Sequence, residues 1–125
     1  MAKNNDKALL PVYLVAGEDE LKRQTVLKRL HTRLEKMGDL SFNSETFSGV
    51  TCTGEDIVTA ANTLPFASEV RLVEVHDVDK LKKADSEIVI DYLKEPCKTT
   101  VLCMVGQKVA KNTRLYKAVS AFGPT

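Results

Sequence analysis

The chain has no long apolar run: nothing in it approaches the roughly 20 residues that a membrane-spanning helix needs. Its opening, MAKNNDKALLPVYL, lacks the apolar core of a secretory signal. No membrane partner is therefore expected. Charge of one sign is also missing, since 18 Lys and Arg stand against 17 Asp and Glu for a formal net charge of +1. Net charge alone thus points to neither nucleic acid nor a membrane surface. Paired cysteines are absent too. Cys52, Cys97 and Cys103 are odd in number and show no CxxC spacing, which fits a reducing cytoplasm better than a disulfide scaffold. Cys103, inside an apolar strand pattern, reads as a small buried hydrophobe. His31 and His76 lie far apart with no identifiable partner and no carboxylate or cysteine at metal spacing, so no metal site is expected. Internal repeats and low-complexity linkers are likewise lacking.

What is present is the pattern of one ordinary globular domain, 125 residues long, 43% hydrophobic and 28% charged. Residues 1–10 read as a polar leader, and the domain proper as 11–125. Val12 to Ala16, closed by Gly17, is a short apolar run with the character of a buried first strand. Glu18, Asp19 and Glu20 open a helix whose Leu27, Leu30, Leu34 and Met37 recur at spacings of three and four, with Gly38 just past its end. Ser41 to Phe47 reads as a weaker strand anchored by Phe42 and Phe47. Thr53-Gly54-Glu55-Asp56 starts a second helix with Ile57, Val58, Ala61 and Leu64 on one side. A central strand follows from Val70 to His76. A third helix is expected from about Asp79 to Lys94, with Leu81, Ile88 and Leu93 inward and Pro96 marking its end. Thr99 to Val105 is another interior strand, and Asn112 to Phe122 a fourth helix. Strands alternating with helices predict a three-layer α/β fold on a mainly parallel sheet. The order stops on a helix, which suggests an N-terminal piece of a longer protein.

A first strand, a glycine and a helix invite comparison with the phosphate-binding loop GxxxxGK[ST]. Counted from Gly17, that pattern needs glycine, lysine and serine or threonine where this chain has Lys22, Arg23 and Gln24. Three carboxylates, Glu18, Asp19 and Glu20, stand where a phosphate needs amide hydrogens and positive potential. Placing a triphosphate beside them costs on the order of several kcal/mol if the site is desolvated. The loop reads as built without a nucleotide, with Lys22 and Arg23 as solvated helix residues. Beyond the central strand, Asp77 could hold magnesium, but Asp79 two residues on favours a turn or helix-capping role. No Ser/His/Asp or Cys/His constellation is recoverable. No catalytic residue and no cofactor are expected.

The chain is organised around Thr63 to Val75, TLPFASEVRLVEV, where a helical pattern passes into the central strand. Leu64-Pro65-Phe66 sits at the junction. Proline disfavours helical geometry at the residue before it and has no amide hydrogen, so the helix stops or kinks there. Two large apolar side chains are then displayed near a sheet edge, either as an anchor for a partner or as a plug for the base of the core. Val70 belongs to the strand core.

Four blocks in order, PVYLVAGEDELKRQTVLKRL, TLPFASEVRLVEVHDVDKLKK, YLKEPCKTTVLCMV and RLYKAV, resemble the N-terminal domain of the bacterial DNA polymerase III delta subunit family. The similarity runs from about Pro11 to Val119. It implies an AAA+-like, P-loop-NTPase-like fold without a functional nucleotide site. It implies a clamp-loader subunit of DNA replication that binds and opens the sliding clamp, with Leu64 and Phe66 matching the family's clamp-binding leucine and phenylalanine and Pro65 between them. Other partners implied are the ATPase subunits of the loader and, within the assembled complex, primer-template DNA. Lys28, Arg29 and Arg33, with Lys22 and Arg23, could follow DNA phosphates there, although a solvated helix face also accounts for them. The family's lid and collar domains have no counterpart in this chain, and the expected place of action is the cytoplasm. Two rival readings are a nucleotide-binding P-loop-like domain and a receiver-like regulatory domain resting on Glu18, Asp19 and Asp77; the latter lacks a later lysine in the right place.

Overall fold

The computed structural model describes residues 9–111 and 113–122. Alternating short strands and helices build a single parallel sheet. In chain order the elements are β1 (Val12–Ala16), α1 (Glu20–Glu35), β2 (Ser44–Ser48), α2 (Gly54–Ala61) and β3 (Arg71–His76). A short 3-10 helix (Val78–Lys80), α3 (Lys83–Tyr92), β4 (Thr100–Gly106) and α4 (Arg114–Ser120) complete them. The strand order is β1-β4-β3-β2, and every pairing is parallel. Parallel neighbours require a crossover, and helices supply each one here.

Period-two alternation divides each strand between two faces. On one face Val70, Leu72, Val101, Cys103 and Val105 pack with Leu30 and Leu34 of α1 and with Leu40 from the turn beyond it, so among the described helices α1 covers that side. On the other, Val12, Leu14, Val73, Val75, Leu102 and Met104 pack with Ile57 and Ala60 of α2, Val89 and Tyr92 of α3, and Leu115 and Val119 of α4. The result is the expected three-layer α/β arrangement. Strands β3 and β4 are the most deeply buried, which explains the continuous apolar run of β4; β3 interleaves Leu72, Val73 and Val75 with the buried Arg71 and Glu74.

Several local readings need correction. Helix α1 ends at Glu35, before Met37, which packs against the core from the turn that follows. The second strand begins at Ser44, and Phe42 is an exposed turn residue rather than an anchor. Residues 79–82 do not belong to α3: Leu81 N closes a tight turn on Val78 O, and the helix starts at Lys83. Ile88 lies at 36% exposure, because a ten-residue helix buries only the stripe carrying Val89 and Tyr92. Leu64 lies beyond α2 and does not share its buried side. The leader reading falls mainly on residues 1–8, outside the described residues, as does Asn112 at the expected start of α4.

Candidate partner-binding site

Helix α2 is short and firmly ended. Thr53 caps its start through a reciprocal box: the Thr53 hydroxyl accepts from Asp56 N at 3.0 Å, and Asp56 Oδ2 accepts from Thr53 N at 2.9 Å. At the other end, last-turn carbonyls have no intrahelical donors and need partners. Arg71, buried on β3, donates Nε to Ala60 O at 3.0 Å, and Thr100 on β4 donates its hydroxyl to Ala61 O at 2.6 Å. Arg71 also pairs with Glu45 on β2 at 2.7 Å. Two strands thus fix the point at which α2 stops, and the chain leaves it as Asn62-Thr63-Leu64-Pro65-Phe66.

Pro65 is half-buried, whereas Leu64 and Phe66 are 72% and 73% exposed. Neither side chain plugs the core. The backbone that carries them is nevertheless tied at both ends. Asn43 engages both the N–H and the carbonyl of Phe66. Ala67 then takes φ 50, a left-handed conformation that a residue with a Cβ adopts at a cost. Glu69 N donates to Met37 O at 3.1 Å, and Ser68 packs so tightly on Gly38 that a Cβ there would lie 1.8 Å from the Ser68 hydroxyl oxygen. Glycine at 38 is needed for that approach. Phe42, next to Asn43 in the chain, is itself 71% exposed, a third large apolar side chain on this part of the surface.

Around the glycine after β1, the groups that would receive a phosphate have other partners. Gly17, at φ 150, donates its N–H to Gly106 O at 3.2 Å. The Arg23 guanidinium donates to Gly17 O. Asp19 caps α1, its carboxylate accepting from Lys22 N at 3.2 Å, and so places a negative charge at the positive end of the helix. Gln24 donates to Glu20 at 3.2 Å. Glu18, Asp19, Glu20 and Lys22 are exposed. Lys28, Arg29 and Arg33 are also exposed on α1, apart from both the loop and the Leu64–Phe66 step in the chain.

The expectation that the histidines lack partners is wrong. His31 Nε2 lies 2.5 Å from Glu74 Oε2, and His76 Nε2 lies 2.7 Å from Glu74 Oε1. Glu74 is 7% exposed and faces α1 from the middle of β3. A carboxylate in such a place needs hydrogen-bond donors on both oxygens, and the two imidazoles supply them. The signal for half of this was available, because Glu74 and His76 stand two apart on one strand and must share a face. His31 required knowing how α1 lies on the sheet. Among the described residues no group of three or more His, Cys, Asp or Glu is placed to hold a metal. Asp77 takes φ 53 at the turn into the 3-10 helix and makes no side-chain cap bond, so its role is the turn. Burial pushes the Cys103 thiol up to about 12, with Glu74 adding to the effect.

A family model described as DNA polymerase III, delta subunit, matches residues 13–121. A search among curated protein sequences found no match. Among solved structures, the Bacillus subtilis DNA clamp loader delta protein is similar at 23% identity and a TM-score of 0.77, over 92% of this chain and 37% of that one. A DNA polymerase III gamma subunit-related protein of Thermotoga maritima is similar at 20% identity and a TM-score of 0.71, over 90% of this chain and 40% of that one. A mutant RuvB of Thermotoga maritima follows at 18% identity and a TM-score of 0.56, over 83% and 33%. The chain therefore spans roughly two-fifths or less of the length of each of these structures, and at such identities the likeness is one of fold. Since the family model takes in most of the sequence, from the first strand to the last helix, the chain belongs to the DNA polymerase III delta subunit family.

Proposed function

We propose that this domain docks on the replicative DNA sliding clamp through Leu64, Pro65 and Phe66, and that it contributes to loading by favouring an open clamp interface without catalysis of its own. The observation that carries the proposal is the exposure of Leu64 and Phe66 on a backbone that is tied down. Large apolar side chains held out in water on a fixed loop cost solvation and return nothing to this domain's own core. Against an apolar pocket on a partner they form a compact hot spot, each contributing on the order of 2 kcal/mol. Membership of the delta family supports the choice of partner, since a protein of similar fold is called a DNA clamp loader delta protein. Opening follows if the docked domain binds the opened interface more tightly than the closed one, because only differential affinity shifts such an equilibrium.

The non-catalytic part of the reading is supported by the loop at Gly17. Its amide, its carbonyl and the first turn of α1 are already engaged by Gly106, Arg23 and Asp19, and negative charge surrounds them. The ATPase subunits of the loader would then drive the cycle. Lys28, Arg29 and Arg33 form the side of α1 offered to primer-template DNA in the assembled complex. Among the described residues no helix is long and apolar enough to cross a membrane. Titration of the protein with the sliding clamp, with and without Leu64→Ala/Phe66→Ala, tests the docking step. Binding lost in a folded double variant supports it, and binding retained moves the contact elsewhere.

A further inference from the structure

Asn43 is 1% exposed, yet its side chain serves the docking loop rather than the sheet. Its Oδ1 accepts from Phe66 N at 2.5 Å, and its Nδ2 donates to Phe66 O and to Asp39 O, each at 2.9 Å. Only one orientation of the carboxamide satisfies all three: the flipped form would set an NH2 against an N–H and an oxygen against two carbonyls. The side chain thus gives Phe66 the pair of backbone bonds that a neighbouring strand would give, from 23 residues earlier in the chain. Asn43 is itself anchored by its own carbonyl, which accepts from Leu72 N at 2.8 Å at the start of β3.

We infer that Asn43 is a positioning residue for partner docking: it holds the backbone of Phe66 so that the exposed ring is presented in the geometry the partner reads. The inference rests on the clamp-docking reading above. A ring that is 73% exposed has too little packing of its own to define where it points, and the next residue occupies a left-handed conformation that an unrestrained alanine leaves. The backbone clamp removes that freedom before the partner arrives. Without it only a fraction of molecules present the ring correctly, and the apparent affinity falls by that fraction.

The experiment compares wild type, Asn43→Ala, Phe66→Ala and Val89→Ala, the last a core truncation in α3 far from the loop in sequence. Amide hydrogen exchange is read at Phe66 and at Leu102 in β4, and clamp affinity is measured by calorimetry. In wild type the Phe66 amide is expected to be protected. In Asn43→Ala it should exchange faster by about tenfold or more while Leu102 stays protected, and clamp affinity should fall by about tenfold. Val89→Ala should lower the melting temperature without changing affinity. Unchanged affinity in folded Asn43→Ala, alongside lost affinity in Phe66→Ala, overturns the positioning role and leaves the docking reading standing. Unchanged affinity in Phe66→Ala overturns the docking reading itself. Should Asn43→Ala fail to fold, the wild-type exchange still decides, since an unprotected Phe66 amide in the free protein contradicts the proposal.

Discussion

Replacing Phe66 with alanine separates an anchor from a core residue, because the two roles predict opposite effects on stability and binding. In the free protein the ring is 73% exposed, so truncation removes little buried surface, and the bonds from Asn43 go to the backbone and survive. A fully buried phenylalanine costs about 3–5 kcal/mol when cut to alanine; here the loss should be below about 1 kcal/mol. The binding effect is larger. Phenylalanine can bury about 150–250 Å2, and roughly three-quarters of it is still available to a partner. At about 25 cal/mol per Å2 that surface is worth about 3 kcal/mol, or about a hundredfold in dissociation constant. Thermal unfolding and calorimetric titration with the clamp read the two quantities on one sample. A melting temperature that drops as for a core truncation, or an affinity within threefold of wild type (about 0.65 kcal/mol), would refute the reasoning.

Four further outcomes are expected. Gly38→Ala should destabilise the domain by about 2 kcal/mol in denaturant titration, since the new Cβ would lie 1.8 Å from the Ser68 hydroxyl and 3.0 Å from its Cα. Cysteine labelling in the folded protein should run Cys97, then Cys52, then Cys103. Burial raises the Cys97 thiol, but hydrogen bonds with Thr99 and Thr100 outweigh it and leave it below the usual value, whereas burial dominates and raises the other two. Because the folded Cys103 thiol keeps its proton up to about 12 against an ordinary value of 9.0, its contribution to stability is complete below pH 9.0 and is lost as pH climbs towards 12; Cys103→Ala should flatten that alkaline slope in pH-dependent unfolding. Millimolar ATP with magnesium should leave the melting temperature unchanged; a ligand at 100 times its dissociation constant would add about 2.7 kcal/mol, so a clear upward shift would contradict the nucleotide-free reading of Gly17.

The strands were legible because their signal is local. Val12 to Ala16 and Val101 to Val105 are apolar runs that suit a sheet covered on both faces, the β-branched and leucine residues of 70–75 mark a third strand despite Arg71 and Glu74, and the alternation with helices pointed to their parallel sense. The proline at 65 likewise announced an end to the helix, but α2 stops earlier than Leu64, at Ala61, and Leu64 and Phe66 face water beyond it. What remained hidden depends on contacts between distant parts of the chain. Whether Phe66 plugs the core or faces out is decided by Arg71 and Thr100 stopping α2 at Ala61, and by Asn43 holding the turn. An asparagine before a strand looks like any turn residue until its partner 23 positions on is known. Ile88 shows the limit of periodicity: its spacing fits a helical stripe, but the short α3 buries the stripe carrying Val89 and Tyr92 and leaves Ile88 36% exposed.

The central claim is that Leu64 and Phe66 are where the clamp is held. Its most direct test is calorimetric titration of the protein with the sliding clamp of the same organism, repeated with Leu64→Ala/Phe66→Ala. The account predicts saturable binding by wild type and none detectable by a double variant whose unfolding curve matches that of wild type. Binding of equal strength by both proteins would contradict it.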